Sequence, residues 1–293
     1  MISIRDLTVR YGDTVAVDAV TMDLAPGKIY GLLGRNGSGK TSLLSVLAAY
    51  RKANSGSITV DGAELFENAA FMRDTVFVRD ALDANEGDRV GSLLKLHACL
   101  RPSWDADYAA KLTDLFELDP RKRVGGLSRG QRSSLGVVVG LASRTSLTIL
   151  DEAYLGMDAA VRALFYRELL ADYLERPRTF IVSTHLIDEV ADLFEEVVVM
   201  DRGRVLVHED TDTFRSRGVA VTGPAEAVDL FAAGRTVLSE QRLGGSRQVT
   251  LYGELGAGER QQAERAGLSL AQVGIQDLFV HLTGSERTME AAR

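Results

Sequence analysis

The chain has 293 residues, 45% hydrophobic and 26% charged, with a formal net charge of −7 and a mean hydropathy of −0.01. That is length and apolar content for one large domain, or a large and a small one, and the acidic balance speaks against a nucleic-acid partner. The single cysteine, Cys99, leaves no internal disulfide, in keeping with a reducing cytosol.

No stretch reaches the roughly 18 uninterrupted apolar residues of a membrane span; the nearest, residues 135–150, is broken by Arg144 and by serines and threonines. Met1 to Arg5 enters a strand pattern without the basic start and apolar core of a signal peptide. Ile4, Leu7 and Val9, then Val15, Val17, Val20 and Leu24, predict an antiparallel pair turning at Tyr11-Gly12-Asp13. Tyr11 there either stacks on a nucleotide base or is a core tyrosine at a strand end.

The apolar run Ile29 to Leu33 predicts a buried strand, and Thr41 to Ala49 a helix with Leu43, Leu44 and Leu47 on one face. Between them Gly34-Arg35-Asn36-Gly37-Ser38-Gly39-Lys40-Thr41, followed by Ser42, fits the phosphate-loop pattern Gly-x-x-x-x-Gly-Lys-Thr. Its backbone amides and the helix N-terminus suit phosphates, Lys40 reaches the terminal ones and Thr41 takes magnesium.

Downstream, Ser55 to Gly62 predicts a strand closed by an Asp-Gly turn, and Thr75 to Val78 another. Residues 82–124 turn helical through Leu93, Leu94, Leu96 and Leu100, then Ala109, Leu112, Leu115 and Phe116, with Trp104 expected in the core. In Leu127-Ser128-Arg129-Gly130-Gln131 the Ser128/Gln131 spacing is that of a capping box. Read alone this is a helix cap, and a helix start free of acidic side chains is also a candidate anion site. Ser146 to Leu150 is a strand ending in Asp151-Glu152: one carboxylate to hold magnesium, the next to orient or activate the attacking water. Phe180 to His185 is a further buried strand with polar groups at its carboxyl end, where ligands sit in open parallel sheets. A hairpin follows around Asp201-Arg202-Gly203, and from about Val219 two helices and four strands suggest a small split βαβ unit.

The phosphate loop, Leu-Ser-x-Gly-Gln, the strand ending Asp-Glu, Asp158 and Ser183-Thr184-His185, in that order, resemble the ATP-binding cassette of ABC transporters over roughly residues 1–215. The resemblance implies a P-loop α/β cassette with a parallel-stranded core, an antiparallel edge, a helical subdomain inserted at about 82–140, and a small α+β extension over 216–293. It implies ATP and Mg2+ as cofactors, Lys40, Glu152 and His185 as catalytic groups, and Tyr11 under adenine. Thr41 and Asp151 would hold the metal, with Asp80 near the place of the family's usual glutamine. Ser128, Gly130 and Gln131 would clasp the ATP of a second cassette, and Asp158 lies in the loop between the two sites. Arg129 replaces a glycine and Ala153 a proline of the family pattern. The ending Ile275 to Gly284 resembles bacterial cassettes that serve export permeases on separate chains, hence a cytoplasmic subunit on the inner face of the plasma membrane, moving a hydrophobic or peptide-like compound such as an antibiotic. The rival readings are a cassette acting on ribosomes or nucleic acid, and a nucleotide sensor with little turnover.

Overall fold

The computed structural model describes residues 1–79 and 84–290. Strands β1 (Ile2–Tyr11) and β2 (Thr14–Leu24) form the expected antiparallel pair, and each changes parity midway. In β1 the buried set passes from Ile2 and Ile4 to Leu7 and Val9, and in β2 from Val17 to Val20, Met22 and Leu24. A strand alternates strictly, so each switch needs one extra residue. Asp6 (φ 47°) and Ala19 (φ 48°) are those residues, and they keep both apolar sets on the core side.

Next come β3 (Ile29–Gly34), α1 (Lys40–Leu47), β4 (Ser55–Val60), β5 (Ala63–Glu64), α2 (Ala69–Arg73) and β6 (Thr75–Arg79). Helices α3 (Val90–Leu100), α4 (Ala106–Leu115) and α5 (Arg129–Ala142) precede β7 (Leu147–Asp151), α6 (Ala159–Glu175), β8 (Thr179–Thr184), α7 (Ile187–Val190), β9 (Glu196–Asp201) and β10 (Arg204–Asp210). The edge sheet has the order β2-β1-β4-β5, and a six-stranded sheet the order β10-β9-β3-β8-β7-β6. In the second, β3 lies parallel between β8 and β9, and β7 parallel between β6 and β8. All residues of β3, β7 and β8 are buried, which explains their continuous apolar runs.

Trp104 is half-buried and stacked on His97 with centroids 6.4 Å apart, so the core position expected for it is not what the fold provides. On α3 only Val90 and Leu93 are buried, while Leu96 and Leu100 stay exposed: the helix lies on the surface and turns one narrow stripe inward. A buried charge cluster ties this region to α6. Asp172, its side chain wholly buried, bonds Arg144 and Arg178; Arg144 also meets Asp105 at 3.2 Å, and Lys111 meets Glu168 at 3.0 Å.

The chain divides into two compact units, residues 1–185 with 193–208, and residues 186–192 with 209–293. The second contains α8 (Thr211–Ser216), β11 (Gly218–Pro224), α9 (Ala225–Ala232), β12 (Thr236–Leu243), β13 (Ser246–Tyr252), α10 (Ala257–Arg265), β14 (Ser269–Gln272) and α11 (Ile275–Glu290). Its antiparallel sheet runs β12-β13-β11-β14 with the β-α-β-β-α-β succession of a split βαβ fold, around Val221, Val228, Phe231, Val249 and Leu251.

Candidate nucleotide site

The loop from Gly34 to Thr41 leaves the carboxyl end of β3 and opens α1. A Cβ at Gly39 (φ +103°) would lie 2.2 Å from the Ala16 carbonyl oxygen, so only glycine fits there. No side chain caps α1 and its first turn carries no acid, so its leading amides and positive dipole end are available to an anion. Lys40 is buried, and its ammonium donates to the carbonyls of Gly34 (2.7 Å) and Arg35 (3.2 Å) and lies 3.9 Å from Glu152. Burial lowers its pKa, against the pull of Glu152 and Asp151.

Strand pairing brings the other groups to the same edge. The Thr41 hydroxyl donates to Asp151 Oδ2 at 2.6 Å, joining α1 to the end of β7. Asp151 Oδ1, Ser38 Oγ and Ser183 Oγ are buried without a hydrogen-bond partner among the described residues. Buried polar atoms are rarely left so, and a carboxylate oxygen beside hydroxyls suits a hard divalent cation completed by phosphate and water. Magnesium therefore fits this donor set, with Thr41 and Asp151 as the residues that could hold it. Asp80, also expected at the metal, lies outside the described residues.

Glu152 follows in a left-handed conformation (φ 49°), with its amide bonded to the Ser183 carbonyl at 3.1 Å. A non-glycine residue held there is a strained position of the kind that gathers at functional sites. His185, just past β8, has Nδ1 at 3.4 Å from Glu152 Oε1 and at 2.9 Å from the Tyr154 hydroxyl. Tyr154 was not singled out by the sequence, since nothing there showed that the turn after Glu152 would meet the end of β8.

The remaining expected residues gather around other partners. Ser128 caps α5 in a full capping box with Gln131, each bond 3.2 Å, and Lys122 donates to Gln131 Oε1 at 3.1 Å. A Cβ on Gly130 would lie 2.5 Å from the Gly156 carbonyl oxygen, so the start of α5 presses against the turn leading to Asp158. Asp158 caps α6 through the Val161 amide at 2.9 Å. Tyr11 is 48% exposed, with the Arg51 guanidinium 4.0 Å from its ring centre. One ring face is thereby engaged, a cation–π contact between residues too far apart in the chain for the sequence to reveal.

A glycine loop at the end of a central parallel strand, a buried lysine and a Thr–Asp pair beside it define a P-loop nucleoside triphosphatase. The family model described as ABC transporter matches residues 17–155. The chain is 32% identical over 217 residues to a candidate ABC transporter ATP-binding protein of Halobacterium salinarum, covering 72% of this chain and 93% of that one. It is 28% identical over 305 residues to the daunorubicin resistance ATP-binding protein DrrA3 of Streptomyces coeruleorubidus, covering 97% and 96%. Among solved structures, an ATP-binding subunit of an ABC transporter superposes with a TM-score of 0.66 at 20% identity, over 73% of this chain and 92% of that one. A dimeric post-hydrolysis cassette bound to ADP and phosphate gives 0.65 at 19%, over 72% and 99%. This chain belongs to the ABC transporter ATPase family: it is an ATP-binding cassette and an ATPase.

Proposed function

We propose that the chain powers a transporter whose membrane permease is a separate polypeptide, that two cassettes work as a pair, and that the task is export of a hydrophobic or peptide-like compound such as an antibiotic. The observation that carries this reading is alignment length: the daunorubicin resistance protein matches 97% of the chain, whereas the spermidine/putrescine and sulfate/thiosulfate import proteins match 70% to 75%. Among the described residues no helix is long and apolar enough to cross a membrane; in this proposal the subunit works on the cytoplasmic face.

In this mechanism the amides of residues 34–42 and the Lys40 ammonium hold the β- and γ-phosphates in a site where burial strengthens the attraction. Thr41 and Asp151 hold Mg2+, which when bound neutralises developing phosphate charge. Glu152 orients the attacking water and receives its proton, and His185 donates to the γ-phosphate. Tyr11 offers its ring to adenine. Ser128, Gly130 and Gln131 meet the ATP held by the partner cassette, and the turn to Asp158 runs between the two sites.

The test is a tagged Glu152→Gln variant, purified with ATP from detergent-solubilised membranes, its bound chains identified by mass spectrometry. A multi-helix membrane protein in stoichiometric amount is the expected result, with ATP retained and turnover nearly abolished. Ribosomal proteins or DNA in its place would overturn the transport reading, and unchanged turnover would overturn the role of Glu152.

A further inference from the structure

We infer that Lys122 is a positioning residue for the paired nucleotide site: its ammonium holds the Gln131 side chain so that the amide NH2 is the end presented to the partner cassette's ATP. The inference rests on the reading above in which Ser128, Gly130 and Gln131 meet that nucleotide.

The backbone that carries Lys122 is pinned at several points. Its carbonyl accepts from the Val90 amide and its own amide donates to the Asp119 carbonyl, both at 3.0 Å. Further on, the Val124 and Gly125 amides bond the carbonyls of Asp88 and Glu86, each at 2.9 Å. The stretch before α5 is thereby stitched to residues 86–90, where α3 begins. A Cβ at Gly126 would meet Lys122 Cε at 3.8 Å, so the lysine stem runs beside that glycine. Its ammonium then donates to Gln131 Oε1 at 3.1 Å.

Oε1 receives a second donor, the backbone N–H of Ser128 at 3.2 Å. A side-chain amide has an accepting end and a donating end, and neither an ammonium nor a backbone N–H can accept. Both contacts therefore require the same orientation, with the oxygen inward. Turned over, the side chain would set its NH2 against an N–H and against a full positive charge. Lys122 thus adds a charged donor to a single neutral bond of 3.2 Å, at the long end of the normal range. Nε2 is left with two hydrogens and no partner among the described residues. Gln131 is half-buried in the first turn of α5, which carries no acid. Its NH2 stands beside a helix opening whose dipole end is positive, and both suit the oxygens of a nucleotide.

The experiment measures ATP-dependent association of the full chain by analytical ultracentrifugation in the Glu152→Gln background, where slow turnover preserves the pair. Lys122→Met keeps the stem and removes the donor. A loss of about three- to tenfold is expected for each site, and a pair of identical chains has two, so the dissociation constant should rise about ten- to hundredfold. The affinity of the separate chain for ATP should stay as it was, because the nucleotide that Gln131 meets is the partner's. Lys122→Arg, which can donate to the same oxygen, should restore most of the association. A double-mutant cycle shows how the lysine acts: once Gln131→Ala has removed the side chain, Lys122→Met should weaken the pair no further. Equal losses with and without Gln131 would mean that Lys122 acts on the nucleotide directly, and would overturn the inference. So would a Lys122→Met pair as tight as its parent. Gln131→Glu keeps an acceptor for both Lys122 and Ser128 but has no hydrogen to offer, so an undiminished pair in that variant would overturn the donor role. Undiminished association of Gln131→Ala would instead overturn the clasp itself, and no association with ATP at all would overturn the pairing.

Discussion

Replacing Gly39 and Gly37 by alanine, one at a time, separates two physical costs in one loop. Both glycines have positive φ, +103° and +81°, and an L-residue held there costs about 1–2 kcal/mol. Only Gly39 adds a collision. Its Cβ would meet the Ala16 carbonyl oxygen at 2.2 Å, whereas the Cβ of an alanine at 37 would meet nothing within 4 Å. Ala16 cannot easily withdraw, because the Asp18 amide bonds the Gly203 carbonyl and the Gly203 amide bonds the Ser38 carbonyl, each at 2.9 Å. Strand β2, the loop and the β9–β10 turn are thus one junction. Overpacking of this kind adds about 1–3 kcal/mol. Gly37→Ala should then cost about 1–2 and Gly39→Ala about 2–5 kcal/mol, out of a total of about 5–15 for a typical domain. Urea unfolding followed by tryptophan fluorescence reads the right unit, because Trp104 is the chain's single tryptophan and lies in residues 1–185. Equal losses in the two variants, or a Gly39→Ala chain within about 0.5 kcal/mol of wild type, would refute the argument from the close approach.

Two further outcomes concern stability. Asp172→Asn leaves the buried guanidiniums of Arg144 and Arg178 without their shared carboxylate, and a loss of about 3–5 kcal/mol is expected in thermal or urea melts; a change under about 1 kcal/mol would remove the cluster from the account of how α6 is held. Burial pushes the His97 pKa down to about 4 from its ordinary 6.5, with Arg101 adding to the shift. As pH falls from about 6.5 toward 4, the unfolded chain takes up a proton that the folded chain refuses, so stability declines across that window. His97→Gln should flatten this part of the stability–pH curve, and an unchanged slope would show that another group sets it.

Much of the site was legible in the sequence because its parts are local. The phosphate loop is eight consecutive residues, the capping box spans four, and Asp151-Glu152 and His185 each end an apolar run that can only be a buried strand. What could not be read were contacts between segments far apart in the chain: Arg51 over Tyr11, Lys122 on Gln131, Tyr154 on His185. Periodicity found α3 but not which of its leucines are covered, and Trp104, expected in the core, is half-buried. A leucine at helical spacing states which face it occupies, not whether anything covers that face, and Leu96 and Leu100 are on α3 but uncovered. The parity changes in β1 and β2 were invisible for a related reason. Asp6 and Ala19 carry no glycine or proline mark, and only the pairing of the two strands reveals the left-handed turn each makes.

The position of β3 in its sheet sets the order in which this protein can be made. Residue 29 pairs with residue 180, and residue 30 with residue 196. A ribosome therefore releases the glycine loop long before the strands that flank it exist, and the unpaired edges of β3 must wait through the synthesis of α1 to α6. Such long-range parallel pairing is slow to form and exposed to misassociation meanwhile. ATP can stabilise only the finished sheet, because the loop meets Asp151 and Glu152 after β7 and β8 have docked. Nucleotide present during synthesis should accordingly act late, as a lock on completed cassettes rather than a template for emerging ones.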